Sequence, residues 1–194
     1  MATITNFTSI SLDGVMQGLG RPDEDTRNGF AHGGWGDGYH DQVSAEYAGR
    51  GMNEPGGLLL GHRTYADLLS HWTRTPEPNP FAQVLLETPK YVASRSEHTV
   101  FDYPESTLLA GDVIAQVAEL RRDSDLPLTI LGSGELTRAL HTAGLVDEYV
   151  LLVHPLVLGS GTRLFGSGDR IGLDLVESLP TTTGVLIARY AVRH

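Results

Sequence analysis

Between Gly56 and Ala143 short apolar runs alternate with segments of helical periodicity, and three of those runs end alike. "GGLLLG" (56–61) passes into His62-Arg63-Thr64, "KYVASRS" (90–96) closes on Ser94-Arg95-Ser96, and the run 128–131 meets Gly132-Ser133-Gly134. Strands that alternate with helices need crossover connections and therefore build a parallel sheet. After residue 146 the pattern changes. "DEYVLLVHPLVLG", "LDLVESLPT" and "VLIARYAVR" read as strands with turns between them and no good helix, which adds antiparallel pairing at the sheet edge. The expected class is α/β: a central mixed, mostly parallel sheet with helices on both faces and an antiparallel C-terminal edge.

The remaining segments fit one domain over 1–194. "TNFTSISL" (5–12) is a β-branched strand, and "YHDQVSAEYAGRGMNE" (39–54) a helix with Asp41 as its cap. Helices are expected at 62–72, near 81–87 after Pro76, Pro78 and Pro80, at 111–123 and at 134–143, with a short strand near 107–110. Residues 13–38 form a glycine-rich, charged stretch with little periodicity. A loop of that length in a compact domain is usually functional or disordered. Phe30 and Trp35 inside it favour a packed loop beside a site.

In open α/β sheets ligands bind at the carboxyl ends of the strands. If the three apolar strands are neighbours, their endings share one rim. A helix N-terminus carries unpaired amides and partial positive charge, and small residues there let an anion approach closely. The helix beginning near Gly134 would cradle a pyrophosphate, and the one beginning near His62 a second phosphate, with Arg63, Thr64 and Arg95 supplying charge and a hydroxyl. Taken singly, "GSGELT" is also a plain strand-to-helix turn. It is not GxGxxG, because Thr137 stands where the third glycine belongs.

Other chemistries fit less well. The net charge of -10 argues against a nucleic-acid partner. Of 14 basic residues only Lys90 is lysine, which leaves arginine as the phosphate clamp. The absence of cysteine removes disulfides and thiolate metal sites, and fits the reducing cytoplasm. No apolar run approaches membrane-spanning length, and the first residues do not read as a signal peptide. The eight histidines show no HExxH, so no metal is expected; His154, in an apolar strand before Pro155, reads as a satisfied core histidine. Without a GxSxG elbow, Ser133 and Ser160 read as turn residues.

The motifs "SISLDGVMQ", "LLLGHRTY", "YVASRS" and "LTILGSGELTRALHTAGLVDEYVLLVHPLVLGSGTRLF" resemble the dihydrofolate-reductase-like superfamily. The nearer likeness is to the reductase domain of bifunctional riboflavin-biosynthesis deaminase-reductases and to stand-alone bacterial proteins of that branch. The resemblance covers nearly the whole chain. It implies a dihydrofolate-reductase-like fold, NADPH as hydride donor, a small heterocyclic substrate and a homodimer. The family's pyrophosphate loop falls on Gly132, Ser133 and Gly134, followed by Glu135 and Leu136. Its 2′-phosphate contacts fall on Gly61, His62, Arg63 and Thr64, with Ser94, Arg95 and Ser96 opposite. The position after Gly61 is often arginine in such proteins; His62 stands there instead, leaving any preference for NADPH over NADH to Arg63 and Arg95.

The loop beginning Asp13-Gly14 resembles the segment that closes over nicotinamide and substrate. Folate reductases place an acid on the following helix, and Asp41 is the candidate here, although an N-cap is the commoner reason for an aspartate at that position. Asp13 is a second candidate catalytic group or a turn-forming aspartate. Trp35 walls the substrate pocket or staples the loop to the core. The function expected is NADPH-dependent reduction of a pterin- or pyrimidine-like heterocycle, as in 5-amino-6-(5-phosphoribosylamino)uracil reductase. Dihydrofolate reduction is the alternative within the class, and a nucleotide-binding module without turnover the alternative outside it.

Overall fold

In a computed structural model, residues 1–52, 54–75, 79–167 and 170–193 are described. The elements run β1 (Ile4–Ser11), a 3-10 turn (Arg27–Gly29), α1 (Gln42–Met52), β2 (Gly57–Gly61), α2 (His62–Arg74), α3 (Pro80–Glu87), β3 (Lys90–Ala93), β4 (Ser106–Leu109), α4 (Val113–Asp123), β5 (Leu128–Leu131), α5 (Gly134–Thr142), β6 (Glu148–His154), β7 (Leu173–Pro180) and β8 (Leu186–Val192). The chain forms two compact units, Met1–Thr5 with Pro55–Leu145, and Asn6–Glu54 with Val146–His194, so β1 contributes to both.

The first unit carries the strand order β4-β3-β2-β5-β1. The pairs β3/β4, β2/β3 and β2/β5 are all parallel, with Gly61 level with Ala93 and Leu59 level with Ile130. Each strand is followed by a helix or a long crossover, as parallel pairing demands. The core of this unit gathers Leu60, Tyr65, Leu69, Leu85 and Val92. Tyr65, Leu68, Leu69 and Trp72 recur at helical spacing along α2, which explains both the helix and the face it buries. Pro80 is the first residue of α3 rather than a breaker before it, because a proline loses nothing at that position, and the Asn79 side chain accepts the Ala82 amide at 3.1 Å. The expected break at Pro76 and Pro78 lies outside the described residues.

Lys90 opens β3 with 0% exposure. Its Nζ donates to the carbonyl oxygens of Leu85 (2.6 Å), Thr88 (2.7 Å) and Leu86 (3.3 Å). The ammonium thus sits on the C-terminal carbonyls of α3, where the helix dipole favours a cation. Burial pushes its pKa down from the ordinary lysine value, and the Glu105 carboxylate opposes that shift.

The second unit carries β1-β6-β8-β7. Here β6/β8 and β7/β8 are antiparallel, with a register shift between Leu175 and Glu177. The antiparallel C-terminal edge is therefore as expected. The strand expected over 147–159 stops at His154, since Pro155 has no amide to give to a ladder. Likewise β3 stops at Ala93, short of the expected 96. The Ser96 and His98 amides donate to the Ser94 and Ser96 hydroxyls, a local pairing that replaces the ladder.

Candidate functional site

In the first unit the order β3-β2-β5 brings all three strand endings to one edge of the parallel sheet. Gly61, His62, Arg63 and Thr64 lie at the end of β2, flanked by Ser94, Arg95 and Ser96 after β3 and by Gly132, Ser133 and Gly134 after β5. Side chain and backbone tie two of the junctions directly. Ser133 Oγ accepts the Gly61 amide at 2.9 Å.

That bond accounts for an uncommon backbone. Gly132 and Ser133 are consecutive left-handed residues, with φ of 56° and 53°. Glycine takes this conformation freely, whereas serine is strained in it. Ser133 does not cap α5 with its own side chain; the hydroxyl is spent on Gly61 instead. The left-handed pair turns the chain so that α5 starts at Gly134, and the Thr137 amide makes the first helical bond, to the Ser133 carbonyl at 2.9 Å. The earlier amides of that turn have no acceptor within the helix. A Cβ on Gly132 would stand 3.4 Å from Thr64 Cγ2, so this glycine also lies beside the start of α2.

The other residues of the rim differ in what they offer. His62 and Arg63 are exposed on the first turn of α2, and no ion pair involves Arg63 among the described residues. Arg95 is 94% exposed in its side chain, and its guanidinium donates to Glu135 Oε2 at 2.9 Å. Leu136 is 8% exposed and faces the core, so only its backbone is available to a ligand. Ser94 shares a 2.6 Å hydrogen bond with Thr99, inside the turn that ends β3.

The second unit holds the long loop. It is packed, with Val15, Phe30 and Trp35 buried together against Leu19, Leu156 and Leu158. Gln17, 4% exposed, is its hub. Its amide nitrogen donates to the carbonyls of Asp25 and Arg27, each at 3.1 Å, and its oxygen accepts from the Thr162 amide and hydroxyl. Sequence reasoning missed Gln17; the only signal was its place in "SISLDGVMQ". At Gly33 a Cβ would collide with the Pro22 carbonyl oxygen, so the doubled-back loop needs a glycine there. Gly14, at φ 81°, lets the chain turn out of β1, and its carbonyl accepts the Leu164 amide.

Asp13 is fully engaged. It accepts from Ser11 Oγ (2.7 Å) and from the amides of Leu158 (3.0 Å) and Gly159 (2.9 Å), with Arg163 3.4 Å away. Asp41 caps α1 through the Ser44 amide (2.8 Å) and accepts from Thr182 through both amide and hydroxyl. The Ser11 hydroxyl first, then the two amides, hold the Asp13 carboxyl far below the usual carboxylate range. The Ser44 amide and then Thr182 do the same for Asp41. Both groups are fixed as acceptors, an arrangement that anchors loops and leaves no proton to donate near neutrality. Trp35 Nε1 donates to the Gln17 carbonyl at 2.7 Å, which is the stapling geometry.

His154 corrects an expectation. It is a core residue at 5% exposure, but neither ring nitrogen has a hydrogen-bond partner among the described residues. Its ring meets Trp35 and Tyr39 edge-on, with centroids 5.1 and 5.2 Å away. Burial, and secondarily the nearby His40, lowers its pKa to about 4.

Residues 2–187 match the family model described as RibD C-terminal domain, and the chain belongs to that family. It is 30% identical over 98 residues to a Bacillus subtilis protein named "Uncharacterized protein YyaP". That match spans about half of each protein, 50% of this chain and 51% of the relative. The fold is that of a putative riboflavin biosynthesis protein from Shewanella sp. PV-4, with a TM-score of 0.67, 21% identity and full coverage of both chains. It is also that of the Enterococcus faecalis dihydrofolate reductase complexed with NADP(H), with a TM-score of 0.63, 11% identity, and 99% and 97% coverage. The dihydrofolate-reductase-like fold expected from the motifs is therefore the fold observed. No cluster of metal-ligating side chains, and no helix long and apolar enough to cross a membrane, occurs among the described residues.

Proposed function

We propose that the chain is a cytoplasmic NADPH-dependent reductase of a pyrimidine- or pterin-like heterocycle, of the riboflavin-pathway type. The observation that carries this reading is the rim itself. Three strand endings stand side by side, and a serine held in a left-handed conformation presents the bare start of α5. Helix amides unopposed by Cβ atoms form a seat for a diphosphate. Gly132, Ser133 and Gly134 would hold that group, and Arg63, Thr64 and Arg95 the ribose phosphate. NADPH, when bound, supplies the hydride. The chain itself contributes alignment and exclusion of water. Asp13, Asp41 and Gln17 would act by fixing the long loop, and Trp35 by stiffening it. The exposed apolar Leu175 and Val176 on β7 suit the homodimer that the family resemblance implies.

A nucleotide-binding module without turnover is the second reading, and one observation favours it: both candidate carboxylates are held as acceptors by backbone amides. The test is to follow NADPH absorbance with a panel of aminopyrimidine ribosides, dihydropterins and dihydrofolate. Oxidation on one aminopyrimidine establishes the first reading, and oxidation on dihydrofolate alone moves the substrate to folate. Saturable NADPH binding without oxidation on any of them favours the module.

A further inference from the structure

The two arginines of the rim are not equivalent. Arg63 has no ion-pair partner among the described residues, whereas Arg95 is engaged by Glu135 at 2.9 Å. Arg95 follows β3 and Glu135 is the second residue of α5, after β5. Because β2 lies between β3 and β5, this pair reaches across the end of β2, a span of two strand spacings or about 10 Å. It therefore crosses the rim beside Gly61 and the start of α2, where the ribose phosphate is assigned.

We propose that Glu135 is a specificity-determining residue that acts through Arg95: it holds the guanidinium until a phosphate dianion takes its place. This rests on the reading of the rim as an NADP(H) seat. An exposed ion pair is weak, so exchange of partners is easy. A phosphate brings two charges and three acceptor oxygens, and it displaces a carboxylate from arginine. A ribose hydroxyl does not, and against a cofactor without the 2′-phosphate the pair stays closed. The carboxylate also repels any anion on the rim, and most of all the phosphate that must take Arg95 from it, so its presence narrows the gap in affinity between cofactors with and without the 2′-phosphate.

The test is a set of binding titrations of the full chain with NADPH and with NADH, over a range of salt. In Glu135→Gln, Arg95 is released and the repulsion is gone, so NADPH binding should tighten about tenfold and NADH binding by no more than about threefold. Glu135→Asp should return the NADPH affinity toward that of the parent chain. In an Arg95→Ala background, Glu135→Gln should give much less tightening, because the residue it acts through is absent. Equal tightening for both cofactors, weaker NADPH binding, or the same gain with and without Arg95 would overturn the proposal. If the parent chain binds neither cofactor, it is the reading of the rim that fails, and this inference falls with it. Thermal unfolding of each variant without ligand separates these outcomes from loss of fold.

Discussion

Replacing His154 by phenylalanine tests the unit that holds the long loop. In the folded chain both ring nitrogens are buried without a hydrogen-bond partner among the described residues, and the imidazole titrates near pH 4 rather than at its ordinary 6.5. Between those values the unfolded chain binds a proton that the folded chain refuses. Stability must therefore rise with pH through that window and fall as the medium is acidified from 6.5 toward 4. The gap corresponds to about 3 kcal/mol lost over that range. Neutral His154 also leaves one donor and one acceptor unpaired, about 1–3 kcal/mol for each such group. Phenylalanine keeps a flat ring between Trp35 and Tyr39 and removes both. His154→Phe should be at least as stable as the parent chain near pH 7. The extra loss on acidification, taken as the difference between the two chains, should be about 3 kcal/mol. Urea unfolding followed by tryptophan fluorescence from pH 4 to 7.5 measures both quantities, with Trp35 as a probe 5.1 Å from the ring. Parallel pH profiles, or a variant weaker by more than about 2 kcal/mol at neutral pH, would show that His154 has a polar partner and refute the reasoning.

Lys90→Met should lower stability by about 3 kcal/mol, because the carbonyls of Leu85, Leu86 and Thr88 lose the ammonium they share; an unchanged melting temperature would count against that cap. Ser133→Ala keeps the left-handed strain and removes the bond to the Gly61 amide, at a loss of about 1–2 kcal/mol, while Ser133→Gly should lose less; the two melting curves give the order. Gly132→Val should abolish nucleotide binding. Its own unfolding curve must be recorded beside the titration, since a side chain at φ 56° is strained in any case. Arg63→Ala should weaken NADPH more than NADH, and equal losses would remove its phosphate role.

The adjacency of the three strand endings was legible in the sequence, because alternating strands and helices leave few topologies and the family motifs sit on the junctions. Strand limits were less so. "KYVASRS" carries no glycine or proline to mark its end, and "DEYVLLVHPLVLG" stays apolar past its proline, yet serine hydroxyls stop the ladder in the first and Pro155 stops it in the second. The engagement of Arg95 by Glu135 joins residues 40 positions apart, and no local pattern announces it. Nor does one announce that Asp13 would meet the amides of Leu158 and Gly159, or that Gln17 would bind Thr162. His154 was recognisable as a core residue from its apolar neighbours. Its lack of partners depends on which side chains fold over it, which only the packed loop reveals.

The central claim is most directly tested by crystals of the chain grown with NADP⁺. The account predicts diphosphate density against the amides of Gly132 to Gly134, with the ribose phosphate on Arg63 and on an Arg95 that has left Glu135. A dinucleotide bound elsewhere, or the first turn of α5 closed by a neighbouring side chain at saturating NADP⁺, would contradict it.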